Sequence, residues 1–324
     1  MSTGSRATRS TPNKLQRRGA KEVQEEEFVR VVIQAHDRAA GQFYGRGIGS
    51  KWQVLSAAEQ LYHDRVYFDL ELQRTTHHEA LCVALESIEP TAVTLDPPWC
   101  RITDWTWNLT PLSSAGSVKG IGQRFNIGVD LDRARGQAFP CLYLAQDEKT
   151  AQLEKFGPLE HGSGGTLSTY DFALRTPESF VTFALTGHVD AVLDVRSHGP
   201  LNAFAKIIQR FSISAETKRF ARRQRFRERS LIKTSTELWY RLLAPPEWRN
   251  EPQNFGIPAP NQIFGRYVRD AGFEGILYPS QRGGGLCLAL YPENFSNSTS
   301  EVKVSGAAPA GATQIVLDKD NLCP

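Results

Sequence analysis

The chain has 324 residues, 40% of them hydrophobic and 23% charged, and its 38 Lys and Arg against 35 Asp and Glu leave a formal net charge of +3. That length and apolar content suffice for one large domain with appendages, and so small a charge argues against nucleic-acid binding by the molecule as a whole. No run of 18 apolar residues occurs, which argues against a membrane span, and five widely spaced cysteines without a CxxC pair argue against a disulfide framework or a thiolate zinc site.

Residues 1–25 are Ser, Thr, Arg, Lys and Gln with little to bury, so they are expected to form a disordered basic tail. They lack the apolar stretch of a secretory signal, and the expected location is the cytoplasm. From 26 to 95 apolar residues recur at helical spacing, as in Phe28, Val31, Val32 and Ala35 and later Leu55, Ala58 and Leu61, predicting a helical N-terminal segment. Its His77-His78-Glu79 run is read as a solvated helix end, because adjacent helical residues point about 100° apart and no HExxH spacing follows.

After Pro97-Pro98 the pattern changes to short strands and glycine-rich turns. Strands are predicted at 100–107 and 140–145, then a helix at 150–156 opened by Asp147 and Glu148, with Ala151 and Glu154 on its inner face. A loop at 161–165, strands at 167–173 and 181–195, and a largely helical stretch at 201–243 follow. Two final strands, 275–278 and 286–291, bracket a turn at 279–285, and 301–324 is read as a tail. Within the helical stretch, Lys218 to Lys233 carries eight Lys and Arg with Phe220 and Phe226 interleaved. It reads as one helix that packs its phenylalanines inward and displays its charge, with a grip on phosphates as the alternative.

Three segments carry chemistry. Gly122-Gln123-Arg124-Phe125-Asn126-Ile127-Gly128 sets an arginine among glycines, which suits an anion but lacks the spacings of a dinucleotide fold or a P-loop. Leu142-Tyr143-Leu144-Ala145, followed by Thr150-Ala151-Gln152-Leu153-Glu154, runs a strand into a helix. Gly272-Phe273-Glu274-Gly275-Ile276-Leu277-Tyr278-Pro279-Ser280 ends a strand on a serine that no GxSxG elbow surrounds. Taken singly, each is also consistent with an ordinary turn, a buried tyrosine or a solvated carboxylate.

Together and in this order, the three segments resemble the RES-domain family, over roughly Pro98 to Phe295. The resemblance implies an α+β fold like that of ADP-ribosyltransferases, with split, twisted β-sheets, surrounding helices and a cleft between them. The catalytic domain would span 96–300 with a helical insertion at about 201–243. The resemblance also implies an NAD+-degrading enzyme, a glycohydrolase or a phosphorylase, acting as the toxin of a bacterial toxin–antitoxin pair. NAD+ would be substrate, inorganic phosphate a candidate co-substrate, and neither a metal nor a bound organic cofactor is expected. A cognate antitoxin and a second copy of the chain are the partners to test for. The long N-terminal region, the segment between Glu154 and Gly272, and the tail depart from compact family members.

The residue types suit that chemistry. Loss of neutral nicotinamide builds positive charge on the ribose, which the Glu154 carboxylate would stabilise. Arg124 would grip the pyrophosphate with a bidentate fork, and Arg101 is a candidate second phosphate contact. Tyr143 or Phe125 would stack on nicotinamide, Ser280 would hydrogen-bond near the ribose or amide, and Asn126 and Arg282 are candidates to line the pocket. Transfer of ADP-ribose to a protein would use the same pocket. A nucleic-acid-binding regulator working through residues 218–233 is the alternative of a different class.

Overall fold

The computed structural model describes residues 48–131, 137–157, 180–243 and 246–323. The predicted tail at 1–25, the loop at 161–165 and the strand at 167–173 lie outside the described residues, as does the start of the N-terminal helical segment. The described residues divide into a smaller unit, 48–66 with 214–228, and a larger one, 67–213 with 229–323, which contains every described strand. Among the described residues no helix is long and apolar enough to cross a membrane.

In chain order the α-helices are α1 (Ile48–Thr76), α2 (His78–Glu86), α3 (Glu148–Phe156), α4 (Asn202–Ile208), α5 (Ala215–Gln224), α6 (Ser235–Leu243), α7 (Asn250–Phe255) and α8 (Pro260–Asp270). The strands are β1 (Thr91–Thr94), β2 (Trp99–Asp104), β3 (Gly122–Gln123), β4 (Asn126–Ile127), β5 (Leu142–Ala145), β6 (Phe180–Asp194), β7 (Gly275–Pro279), β8 (Leu286–Leu290), β9 (Glu301–Val304) and β10 (Val316–Leu317).

The predicted α+β class holds, and its sheet is built around one long strand. β2, β5, β8 and β7 pair antiparallel in that order. The first part of β6, Phe180–Leu185, pairs antiparallel with β2, and its last residues, Val192–Asp194, pair parallel with β7, so five strands close into a ring. β1 and β9 also pair with β6, and β10 pairs with β9, giving eight hydrogen-bonded strands. Where two small sheets are expected, the 15 residues of β6 are long enough to join both groups of strands, and among the described strands only the hairpin β3–β4, two residues in each arm, remains separate.

Side chains alternate across a strand, so the pairing sorts the residues into two cores. Leu142, Leu144, Leu277, Leu288 and Leu290 pack with Phe183, Leu185 and Val302 on one face. On the other, Ala145, Ile276, Tyr278, Cys287 and Ala289 join Phe204, Leu242, Phe264 and Tyr267 of α4, α6 and α8. Each fully buried leucine contributes about 1.5–3 kcal/mol. A one-residue slip of β8 would turn Leu288 and Leu290 to the wrong core, so this layer fixes the register that presents the turn after β7.

Four predicted elements are corrected. Residues 91–94, inside the expected helical segment, form β1, because Val93 and Leu95 are buried in the strand core. The strand predicted to reach Trp107 stops at Asp104, and Trp105–Trp107 form a single 3₁₀ turn. The expected tail contributes β9 and β10, with Val302 and Leu317 fully buried. The basic run is not one helix: α5 ends at Gln224, Arg225 takes a left-handed conformation (φ 59°), and Phe226 N–H donates back to Ala221 O at 2.9 Å. This cap, with Arg225 N–H donating to Arg222 O, satisfies the last helix carbonyls and turns Phe226 back toward Phe220. The phenylalanines do pack inward as expected. Within the smaller unit the Phe226 ring lies 6.5 Å from Phe220 and 5.6 Å from Tyr62.

Candidate active site

The first motif is the β3–β4 hairpin, with Arg124 and Phe125 at its tip. The two arms approach so closely that a Cβ on Gly122 would lie 2.5 Å from Gly128 N, and one on Gly128 would lie 2.1 Å from Gly122 N; only glycine fits either place. Gln262 of α8, fully buried, ties the hairpin down by donating from Nε2 to the carbonyls of Ile121, Gln123 and Asn126 at 2.8, 3.1 and 3.0 Å. Arg124 is 8% exposed and donates from Nη1 to Leu243 O at 3.0 Å, at the C-terminal end of α6, where unpaired helix carbonyls favour a cation.

The second motif follows β5 into α3, whose N-cap Asp147 accepts from Thr150 N–H at 2.8 Å. This fixes the helix phase and aims Ala151 and Glu154 at the cleft, the inner face expected from the sequence. The third motif is the turn between β7 and β8, closed by Ser280 N–H donating to Gly285 O at 2.8 Å. That turn lies flat on α3: a Cβ on Gly285 would meet Thr150 Oγ1 at 2.2 Å. The contact brings Ser280 Oγ to Glu154 Oε1 at 2.6 Å, and Gln281 N–H reaches the same oxygen at 3.2 Å.

These elements, with β2 and the 3₁₀ turn Pro246–Arg249, wall a cleft of about 360 Å³ lined by Arg124, Tyr143, Glu154 and Arg282 among others. Arg101 also lines it, but its guanidinium is committed to Pro111 O at 2.5 Å and Ser113 O at 2.7 Å, and burial lowers its pKa to about 10. Tyr143 presents only part of its ring. Its hydroxyl accepts from Phe125 N–H at 2.8 Å and donates to Asn126 Oδ1 at 2.9 Å, and burial raises its pKa well above the ordinary tyrosine value. Asn126 and Phe125 are fully buried and do not line the cleft: Asn126 Nδ2 donates to Ser117 O and Phe139 O, and the Phe125 ring packs edge-on against Tyr278 at 4.9 Å. Both support the site from behind rather than line it.

A family model described as the RES domain matches residues 98–308. The chain belongs to the RES-domain family. Among solved structures it is similar to one chain of the M. tuberculosis MbcT–MbcA toxin–antitoxin complex, at 14% identity and a TM-score of 0.38, over 70% of this chain and 90% of that one. No curated protein matches the sequence.

In this RES domain the cleft gathers residues that carry no local sequence signal. Trp248 and Arg249 come from the 3₁₀ turn after α6, and Trp107 from the turn after β2. Lys155, next to Glu154, is held by Asp104 at 2.6 Å. Gln262 had one readable cue, the Ala259-Pro260-Asn261-Gln262 opening of a helix, with proline at its first position and a glutamine that accepts from Ala259 N–H at 3.0 Å.

Proposed function

We infer that the chain cleaves the nicotinamide–ribosyl bond of NAD+. The carrying observation is a carboxylate in the cleft, Glu154, fixed by Ser280 Oγ and Gln281 N–H and set among arginines. As the C–N bond lengthens, the bonding pair leaves with nicotinamide and an oxocarbenium-like ribose remains; a carboxylate held beside it stabilises that charge without having to reorganise. The bonds that Glu154 accepts keep it oriented. The arginines suit the two negative charges of the diphosphate, and Tyr143 and the cleft tryptophans offer flat apolar surface for a base.

Attack by water would give ADP-ribose and a proton, and attack by inorganic phosphate would give ADP-ribose 1″-phosphate. The family resemblance supports the further reading that the chain is the toxin of a toxin–antitoxin pair, with an antitoxin as its protein partner. The test is incubation of the purified full chain with NAD+, with and without phosphate, following nicotinamide and the ribose product by chromatography beside Glu154→Gln. Nicotinamide released by the wild type and lost in the variant supports the reading. No release under either condition discards it, and the ribose product names the acceptor.

A further inference from the structure

Arg249 lies outside all three motifs, in the turn that follows α6, yet it lines the same cleft as Arg124, Arg282 and Glu154. The charges there can be counted. Lys155 and Asp104 neutralise one another, and Arg101 is spent on two carbonyls. Arg101 loses its donors to those carbonyls but keeps its charge, so four guanidiniums face one carboxylate, a net charge of three positive. Arg124 has Nη1 committed to Leu243 O, whereas Arg249 and Arg282 are exposed and, among the described residues, form no ion pair with a carboxylate. The Arg282 guanidinium rests against Gly157, whose Cβ, if present, would lie 3.4 Å from Nη1. Arg249 is held by its neighbour, its Cζ 5.1 Å from the Trp248 ring centroid, and Trp248 is itself buried. Stacking of this kind fixes the plane of a guanidinium while leaving its donors free.

We propose that Arg249 is a specificity-determining residue which, together with Arg282 and the free donors of Arg124, forms the subsite for the diphosphate of the substrate. The assignment rests on the NAD+ reading for its substrate and on the cleft alone for its chemistry, a dianionic diphosphate drawn to an excess of positive charge whose uncommitted donors belong to Arg249, Arg282 and Arg124. Although its side chain reaches solvent, the cleft walls desolvate Arg249 in part; that desolvation, then Arg282 and Arg124, lowers its pKa against the opposing Glu154, and a bound dianion relieves the repulsion between the cations. Arg249 acts on binding rather than on bond breaking, since the charge it meets is the same in the ground and transition states.

The test is steady-state NAD+ cleavage by wild type, Arg249→Gln and Arg249→Lys, with ADP-ribose and nicotinamide as inhibitors. Arg249→Gln is expected to raise KM for NAD+ and Ki for ADP-ribose by about tenfold each, a typical loss for a charge-assisted contact. The loss falls on KM rather than kcat, Ki for nicotinamide stays within twofold, and Arg249→Lys recovers part of the affinity because it keeps the charge but not the fork. Unchanged KM and ADP-ribose Ki, or an equal rise in nicotinamide Ki, overturns the assignment. Should the wild type release no nicotinamide, the NAD+ reading fails on its own. Calorimetric titration with inorganic pyrophosphate then decides Arg249, for binding must be present in the wild type and about tenfold weaker in Arg249→Gln.

Discussion

Ser280 Oγ donates to Glu154 Oε1 at 2.6 Å while accepting N–H groups from Arg282 at 3.1 Å and Gly283 at 3.0 Å. One hydroxyl therefore shapes the turn and aims the carboxylate. Ser280→Ala removes the strongest hold on Glu154 but leaves Gln281 N–H, so kcat for nicotinamide release should fall by about 10–100-fold. Glu154→Gln keeps the shape and removes the charge, and should cost about 100–1,000-fold in kcat. Glu154→Gln leaves the turn's own bonds in place and should move thermal melting little, whereas Ser280→Ala also strands the Arg282 and Gly283 N–H groups and should lower it modestly. A Ser280→Ala enzyme with wild-type kcat would show that the bond does not orient the reacting group.

Asn126 satisfies four partners from a fully buried position: it accepts from Tyr143 Oη and Gln123 N–H and donates to Ser117 O and Phe139 O. Replacing it with Ala or Leu strands those groups without water, and a buried unsatisfied polar group costs about 1–3 kcal/mol. Asn126→Leu should lower the free energy of unfolding extrapolated from urea titration by an amount in that range or above it, while KM for NAD+ in the remaining folded protein changes less than twofold. A large rise in KM with unchanged stability would instead place the amide against substrate.

The motif strand–helix junction was legible because its signals are local: Asp147 and Glu148 at a helix start and Ala151 and Glu154 one turn apart declare both the helix and its inner face. The turn carrying Ser280 was legible from its glycines, although the reason for them, the close approach to Thr150, is tertiary. β9 was missed because a four-residue strand with one fully buried side chain, Val302, barely differs from a solvated tail until β6 pairs with it. Arg249 and Trp248 were invisible for a similar reason. Nothing near them in the sequence is periodic, and only the packing of the larger unit brings their turn to the wall of the cleft. The roles expected of Phe125 and Asn126 show the converse, that residues adjoining a site arginine are claimed by tertiary partners the sequence does not show, Tyr278 for the ring and Ser117 and Phe139 for the amide.

With Phe125 buried, the proposed substrate needs other flat surface for a base, and Trp107 is the surface to test: its half-buried indole lines the cleft, with the Lys119 ammonium 4.7 Å from its ring centroid and Gly116 against its edge. Stacking of a base on an aromatic side chain is worth about 1–3 kcal/mol, so Trp107→Ala should raise KM for NAD+ by roughly 5–150-fold, and Trp107→Phe by much less. The check is a KM series on the purified variants. An unaffected KM in Trp107→Ala would move the base to Trp248 or Tyr143.

The thiols predict an alkaline limit to stability. Burial, then the neighbouring Glu154, pushes Cys287 up to about 12, while burial raises Cys82 and Cys323 to about 11, all from an ordinary value of 9.0. Burial likewise holds Tyr143, Tyr278 and Tyr291 well above their ordinary 10.0. In the unfolded chain the thiols lose protons above about pH 9 and the phenols above about 10, whereas in the native state both stay neutral, so the unfolded state binds fewer protons there and stability falls as pH rises. The contribution is complete below pH 9 and declines through the window up to about 11–12. Urea midpoints measured at pH 8, 9.5 and 10.5 should therefore fall in that order, and Cys82→Ala should flatten the decline relative to wild type. The same burial should keep Cys287 unmodified by iodoacetamide at pH 8 in native protein and reactive in urea, read by mass spectrometry. A midpoint that holds steady from pH 8 to 10.5, or rapid native-state alkylation of Cys287, would mean that these thiols are not buried as neutral groups.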